Sequence, residues 1–188
     1  MTRTTVAESE RLRLRLLDVD DAAFMLALPP LYAKVSDKAL AASMVEKALQ
    51  NSLSDPAVSA TAWTVVGRMR LLSDNQQGAL EAARKAQDLA PLEDKPAILA
   101  LELLEAGATE AEPLLRRYLD GKPSPEIRLA YARLLLEWQR YTEARQQLGF
   151  VTAEKPDLPQ AWMAQAALQF QDNDLDDAEA SLQRYSAL

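Results

Sequence analysis

The chain has 188 residues, a formal net charge of −7 at pH 7, and neither cysteine nor histidine. The acidic balance argues against a nucleic-acid partner, because neutralising phosphates requires a surplus of lysine and arginine. The absence of cysteine and histidine excludes disulfides, thiolate nucleophiles, histidine-based catalytic triads and zinc sites of the usual kind.

The apolar composition predicts a helical protein. Apolar residues make up 48% of the sequence but aromatic residues only 6%, which is typical of closely packed helices rich in Leu and Ala. Only five glycines are present to form β-turns. No run of 18 apolar residues occurs, so we expect no direct membrane insertion. Residues 1–17 carry charges throughout and lack the apolar segment of a signal peptide, so we expect a soluble chain.

Residues 1–19 are the hardest part to interpret. Leu12, Leu14 and Leu16 alternate with arginines, which alone would indicate a strand. An isolated strand would have no partner in a helical chain, so we favour a partial helix or cap.

The sequence pattern of residues 20–59 predicts a degenerate helix hairpin. The first helix runs from Asp20 to Lys34 and is interrupted by Pro29-Pro30, because proline lacks the amide donor and clashes with the preceding turn. The second helix runs from Asp37 to Leu53.

Residues 60–91 form the clearest repeat unit, with Trp63, Gly67, Ala79 and Pro91 at characteristic positions. We expect Gly67 and Ala79 to lie where the two helices approach most closely, because a larger side chain would push them apart.

Residues 92–124 form a divergent unit of similar length. Pro96 lies in the first turn of its first helix, where the missing N–H does no harm, and Gly107 is expected to end that helix. Thr109 and Glu112 have the spacing of a capping box for the second helix.

The last two units cover residues 125–158 and 159–188. Ser124-Pro125 predicts a helix start, with Ser as N-cap and Pro at the first helical position. Ala132 and Ala144 recur 34 residues later as Ala166 and Ala178. A fixed period of this length is typical of stacked helix–turn–helix units.

These positions resemble the tetratricopeptide repeat, whose signature is W-x2-L-G-x2-Y…A-x3-F…A…P. The resemblance covers about residues 20–188 and implies an all-α, right-handed α-α superhelix of about five antiparallel hairpins. The resulting division is 1–19 (partial helix or cap), 20–59 (degenerate hairpin), 60–91, 92–124 and 125–158 (repeat units), and 159–188 (a unit with an incomplete C-terminal cap).

Residues 128–145 are also similar to repeats of the large exported tetratricopeptide lipoproteins of proteobacteria. Members of that group are thought to act as adaptors for a periplasmic processing protease. This similarity implies a periplasmic location, whereas the chain is otherwise expected in the cytoplasm. Because no further helix covers the last hairpin, we expect the chain to be a piece of a longer repeat protein.

In tetratricopeptide repeat proteins, the first helix of each hairpin lines a concave groove that binds a peptide or protein. Arg68 and Arg133 are the expected anchors, because a guanidinium can hold a carboxylate with two hydrogen bonds. The alternative for either arginine is a solvated side chain or a pair with a nearby Glu. The resemblance carries the groove over to Arg68, Leu71, Leu72, Leu129, Arg133, Leu136, Glu137, Met163 and Phe170.

The expected function is therefore a non-catalytic interaction scaffold with no cofactor and no bound metal. Asp172, Asp174 and Asp176 imitate the start of a calcium loop, but the Gly and Glu that such a loop requires are missing. Trp63 and Trp162 are expected in the core, whereas Trp138 is a candidate for an exposed interaction surface. The alternative function is structural, with self-association through the uncapped ends.

Overall fold

The computed structural model describes residues 56–121 and 123–188, and the expectations for residues 1–55 lie outside these ranges. The described residues form α-helices and one short 3-10 helix, with no strand among them. The helices are α1 (Pro56–Leu71), α2 (Gln76–Leu89), α3 (Asp94–Glu105), the 3-10 turn (Thr109–Ala111), α4 (Glu112–Leu119), α5 (Pro125–Glu137), α6 (Tyr141–Glu154), α7 (Pro159–Gln171) and α8 (Leu175–Ser186).

The helices pack as consecutive antiparallel hairpins. α1 pairs with α2, α3 with α4, α5 with α6, and α7 with α8. Between hairpins, α3 packs on α1 and α2, α5 packs on α3, and α7 packs on α6. This arrangement confirms the predicted all-α solenoid over the described residues.

Small side chains lie where helices meet, and the tightest neighbour of Gly67 is Leu99 of the next hairpin, whereas Ala79 of its own hairpin is at ordinary contact distance. A Cβ atom on Gly67 would lie 2.4 Å from Leu99 Cδ2 and 3.4 Å from the carbonyl oxygen of Ala79. Ala132 and Ala144 are completely buried, and their equivalents in the last hairpin, Ala166 and Ala178, are also buried. A larger residue at these positions would have to displace a neighbouring helix.

The same backbone turn ends the first helix of every described hairpin. One residue in each turn has a positive φ, and the amide of the following residue donates to a carbonyl in the last turn of the helix, as Arg140 does to Leu135 at 2.8 Å. This geometry satisfies carbonyls that the helix leaves unpaired. The prediction that Gly107 closes its helix is confirmed. The four residues are Asp74 (φ 57°), Gly107 (86°), Gln139 (60°) and Asn173 (62°).

One predicted helix start is confirmed and another is wrong. The Ser124 hydroxyl accepts a hydrogen bond from the Ile127 amide at 3.3 Å, and Pro125 takes the first helical position. The capping box of Thr109 and Glu112 does not form, because Thr109 begins a 3-10 turn and no side chain caps α4. Glu112 instead turns towards two arginines, whose charged hydrogen bonds are stronger than one bond to a backbone amide.

In three of the described hairpins, a cationic side chain on one helix lies over an aromatic ring on the other, and the two residues are 22 positions apart in each case. In two of these hairpins the first helix supplies the ring, whereas in the hairpin of α5 and α6 it supplies the cation. Trp162, predicted in the core, is 5% exposed, and its indole N–H donates to the Pro156 carbonyl at 2.7 Å. Trp63 is only half-buried. The pairs are Lys85 over Trp63 (4.2 Å to the ring centroid), Arg128 over Phe150 (4.8 Å) and Arg184 over Trp162 (4.7 Å).

Trp138 is not the freely exposed residue that its position suggested. It is half-buried against the hydrophobic core, and the Arg140 guanidinium lies 5.8 Å from its ring centroid. It therefore contributes to packing at the end of α5.

Candidate functional site

The predicted groove residues lie on, or directly after, the first helices of three hairpins. Leu72 directly follows α1, and Met163 and Phe170 lie two turns apart on one face of α7. These three apolar side chains are 47%, 42% and 69% exposed. Arg133 and Glu137, one turn apart on α5, are also exposed. Apolar and charged side chains of the predicted set are therefore accessible to a partner.

The remaining apolar members of the set lie deeper. Leu129 is only 5% exposed and packs in the hydrophobic core, so its assignment to the surface of the groove is wrong. Leu71 and Leu136 are half-buried and pack against the same core. These side chains support the surface from beneath.

Arg68 is already paired within the chain. Its Nε donates to Glu102 Oε2 at 2.8 Å, and its Nη2 lies 2.8 Å from Glu102 Oε1. We expected Arg68 to hold a ligand carboxylate with two hydrogen bonds, but the carboxylate that it holds in this way belongs to Glu102 on α3. Lys95 adds a second link between α1 and α3, donating to the Thr61 hydroxyl at 3.1 Å. Arg68 therefore joins two hairpins.

Arg133 differs from Arg68 in having no internal partner among the residues that the structure describes. It is exposed, and none of the ion pairs formed in the described ranges includes it. Of the two expected anchors, Arg133 is the one whose guanidinium is available to an external carboxylate.

The sequence did not reveal an ionic cluster centred on Glu112. Arg140 donates to both carboxylate oxygens of Glu112, at 2.8 and 2.9 Å. Tyr131 and Arg116 donate to the same carboxylate at 2.6 and 2.9 Å. Arg140 also holds Glu143 through its Nε at 2.7 Å, and Arg116 contacts Glu143 as well. The cluster ties α4 to α5 and to the start of α6.

The cluster shifts the titration of its members. Hydrogen bonds from Arg140 lower the pKa of Glu112 from 4.5 to about 2, against a smaller opposing effect of burial. Burial and the bond to Glu112 raise the pKa of Tyr131. Sequence spacing alone could have indicated only the local pairs, Glu112 with Arg116 and Arg140 with Glu143. The link between these pairs depends on how the hairpins stack.

Two further classes of site receive no support within the described ranges. No group of three or more Asp, Glu, His or Cys side chains is arranged there to hold a metal ion. Asp176 and Asp177 lie in the first turn of α8, where they complement the helix dipole. Among the same residues, no helix is both long enough and apolar enough to cross a bilayer.

Comparisons with known proteins agree with this architecture. The family model described as "Tetratricopeptide repeat" matches residues 100–168. No curated protein sequence matches the chain.

Solved structures of the same fold match the chain at low sequence identity. MamA from AMB-1 is 16% identical with a TM-score of 0.58, covering 89% of this chain and 91% of its own. PilF from Pseudomonas aeruginosa is 16% identical with a TM-score of 0.62, covering 91% of this chain and 78% of its own. YrrB, described as a TPR protein with an unusual peptide-binding site, is 20% identical with a TM-score of 0.55, covering 89% of this chain and 86% of its own. At these identities the likeness establishes the fold alone.

Proposed function

We propose that this tetratricopeptide repeat protein is a non-catalytic adaptor that binds a peptide or protein along the surface of its first helices, from Leu72 to Phe170. The observation that carries the proposal is the exposure of Met163 and Phe170 on the first helix of the last hairpin, with Leu72 exposed directly after α1. Single exposed apolar residues need no explanation, but Met163 and Phe170 lie two turns apart on one face of α7, where a ligand can contact both.

The charged residues of the surface suit a ligand that carries both apolar and acidic groups. Arg133 is exposed and can hold a ligand carboxylate with two hydrogen bonds. Glu137, one turn away, offers an acceptor to backbone amides or a basic side chain of the same ligand. An extended segment or an amphipathic helix could satisfy both while its apolar side chains contact Met163 and Phe170.

The half-buried residues give this surface a firm base. Leu136 packs against the core beneath Arg133 and Glu137, and Leu129 lies fully within it. Arg68 braces α1 against α3 through Glu102, which favours a preformed surface. A preformed surface loses little conformational freedom on binding.

The test is a selection of peptides from a random display library against the wild-type chain, followed by affinity measurements on the selected peptides. Arg133→Ala and Phe170→Ala should each weaken binding about 10-fold or more, because each removes an exposed anchor. Their unfolding midpoints in urea should match the wild type, because neither side chain is part of the core.

Matched controls come from the second helices. Arg117→Ala removes an exposed arginine from α4, and Phe150→Ala removes a 57% exposed phenylalanine from α6. Both should leave peptide affinity unchanged. If the controls weaken binding as much as the groove variants, or if the groove variants bind like the wild type, the proposal is wrong.

The compartment stays a prediction. The similarity of residues 128–145 to exported lipoprotein repeats favours the periplasm, and without it the cytoplasm is expected. Fractionation of the cells that produce the protein would distinguish the two.

A further inference from the structure

The last hairpin exposes a face that is buried in the three described hairpins before it. The second helix of each hairpin carries two side chains, three residues apart, towards the next hairpin. In α2, α4 and α6 these side chains are at most 1% exposed, whereas in α8 they are 46% and 40% exposed. The pairs are Ala83 and Ala86 in α2, Leu115 and Tyr118 in α4, Leu148 and Val151 in α6, and Leu182 and Tyr185 in α8.

Within the chain, this face is covered by a helix. α7 packs on α6, and their side chains meet at 3.2 Å between Thr152 Oγ1 and Gln165 Oε1. α3 packs on α2 in the same way. The exposed face of α8 therefore continues an interface that the chain forms repeatedly, and a helix is the element that fits it.

We propose that α8 pairs antiparallel with α8 of a second copy of this chain, about a two-fold axis close to Leu182. Leu175 lies seven residues before Leu182 and Leu188 lies six residues after it, and these two are 54% and 59% exposed. This spacing is nearly the same in both directions along the chain. Antiparallel pairing consequently brings Leu182 against its own copy and Leu175 near the C-terminal end of the partner helix, so that the surface complements itself.

The charge distribution favours the antiparallel orientation over the parallel one. The first half of α8 carries Asp176, Asp177 and Glu179, and its last turn carries Arg184. Parallel pairing would place the acidic halves side by side, where like charges repel. Antiparallel pairing separates the two acidic halves and also aligns the helix dipoles favourably, while Arg184 stays over the Trp162 ring of its own chain.

The size of the contact predicts a concentration-dependent dimer. One helix pair buries less than the roughly 800 Å² per partner of a standard interface, so the two copies should separate on dilution. The contact involves α8 and leaves Arg133 on α5 uninvolved. The dimer proposal is therefore tested separately from the proposed peptide-binding surface, and either can fail without the other.

The first test is sedimentation equilibrium over a range of protein concentrations. The wild-type chain should approach twice its monomer mass at high concentration. Leu182→Glu should weaken dimerisation about 100-fold or more, because the two-fold axis places two substituted side chains in one apolar contact. Leu92→Glu changes a 64% exposed leucine outside α8 and should leave the dimer intact, as should Arg133→Ala.

The second test uses the absence of native cysteine and does not depend on how a charged variant folds. Leu182→Cys should form a disulfide-linked dimer under mild oxidation, because the axis brings the two residue 182 positions within the few ångströms that a disulfide spans. Ala180→Cys, exposed on the opposite side of α8, should cross-link much more slowly. A wild-type chain that stays monomeric at all concentrations, a dimer unaffected by Leu182→Glu, or equal cross-linking of the two cysteine variants would each overturn the proposal.

Discussion

Replacing Glu112 with Gln tests whether the ionic cluster stabilises the stack. The substitution keeps the shape of the side chain and an acceptor for the Tyr131 hydroxyl, but removes the charge that Arg140 and Arg116 hold. A pKa lowered from 4.5 to about 2 corresponds to at most about 3 kcal/mol at 1.36 kcal/mol per tenfold change in proton affinity. The Glu112 side chain is 18% exposed, but those of Arg140 and Arg116 are 30% and 49% exposed, so solvent screening reduces the expected loss to about 1–2 kcal/mol.

The pH dependence gives a second, independent signature of the same group. Folding lowers the pKa of Glu112, so its contribution to stability is fully present above about pH 4.5 and is lost as the pH falls towards about 2. The difference between the wild type and Glu112→Gln should be constant from pH 7 to about pH 5 and should shrink below that, because Gln cannot be protonated in this range.

The assay is urea unfolding followed by circular dichroism at several pH values. The matched control is Glu126→Gln, which makes the same change in an exposed pair with Lys155 and should alter stability by less than about 0.5 kcal/mol. If Glu112→Gln unfolds like this control at pH 7, or if its deficit stays constant down to about pH 3, the assignment of stability to the cluster is refuted.

Two further pairs of substitutions test the packing and the turns, each by its unfolding midpoint in urea. Ala144→Leu and Ala178→Leu should each cost about 1–3 kcal/mol, because both alanines are buried where two helices meet, and wild-type midpoints in both would contradict the assigned helix contacts. Gln139→Gly should stabilise the chain by up to about 1 kcal/mol, because Gln139 has a φ of 60° that favours glycine. Gly107→Ala should destabilise the chain, because Gly107 has a φ of 86° that alanine rarely adopts. Changes of the opposite sign would refute the argument that these turns strain a side-chain-bearing residue.

Much of the fold could be predicted because repeat signals are local. Gly67 lies near the Ala79 carbonyl of its own hairpin, and Ser124-Pro125 marks a helix start through contacts within four residues. The period then predicts the stack, since each hairpin can bury its apolar face only against a neighbour.

The candidate site was less predictable because exposure depends on neighbours in space. The family pattern placed Leu129 on the groove surface, but the stacked hairpins bury it. The same pattern predicted that Arg68 binds a ligand, but its guanidinium is paired with Glu102 of the next hairpin. Arg133 occupies the equivalent position and pairs with nothing among the described residues, a difference that the repeat pattern does not encode.

The helical class, the hairpin period and the recurring small residues follow from the amino-acid sequence, because helix formation and hairpin packing depend on residues a few turns apart. Which charges meet and which apolar faces are covered depends on the tertiary structure. The Glu112–Arg140 and Arg68–Glu102 pairs each join residues from different hairpins, and the exposure of Leu182 depends on whether another helix packs there. Such contacts depend on the stacking of whole hairpins, which no local pattern of residues specifies.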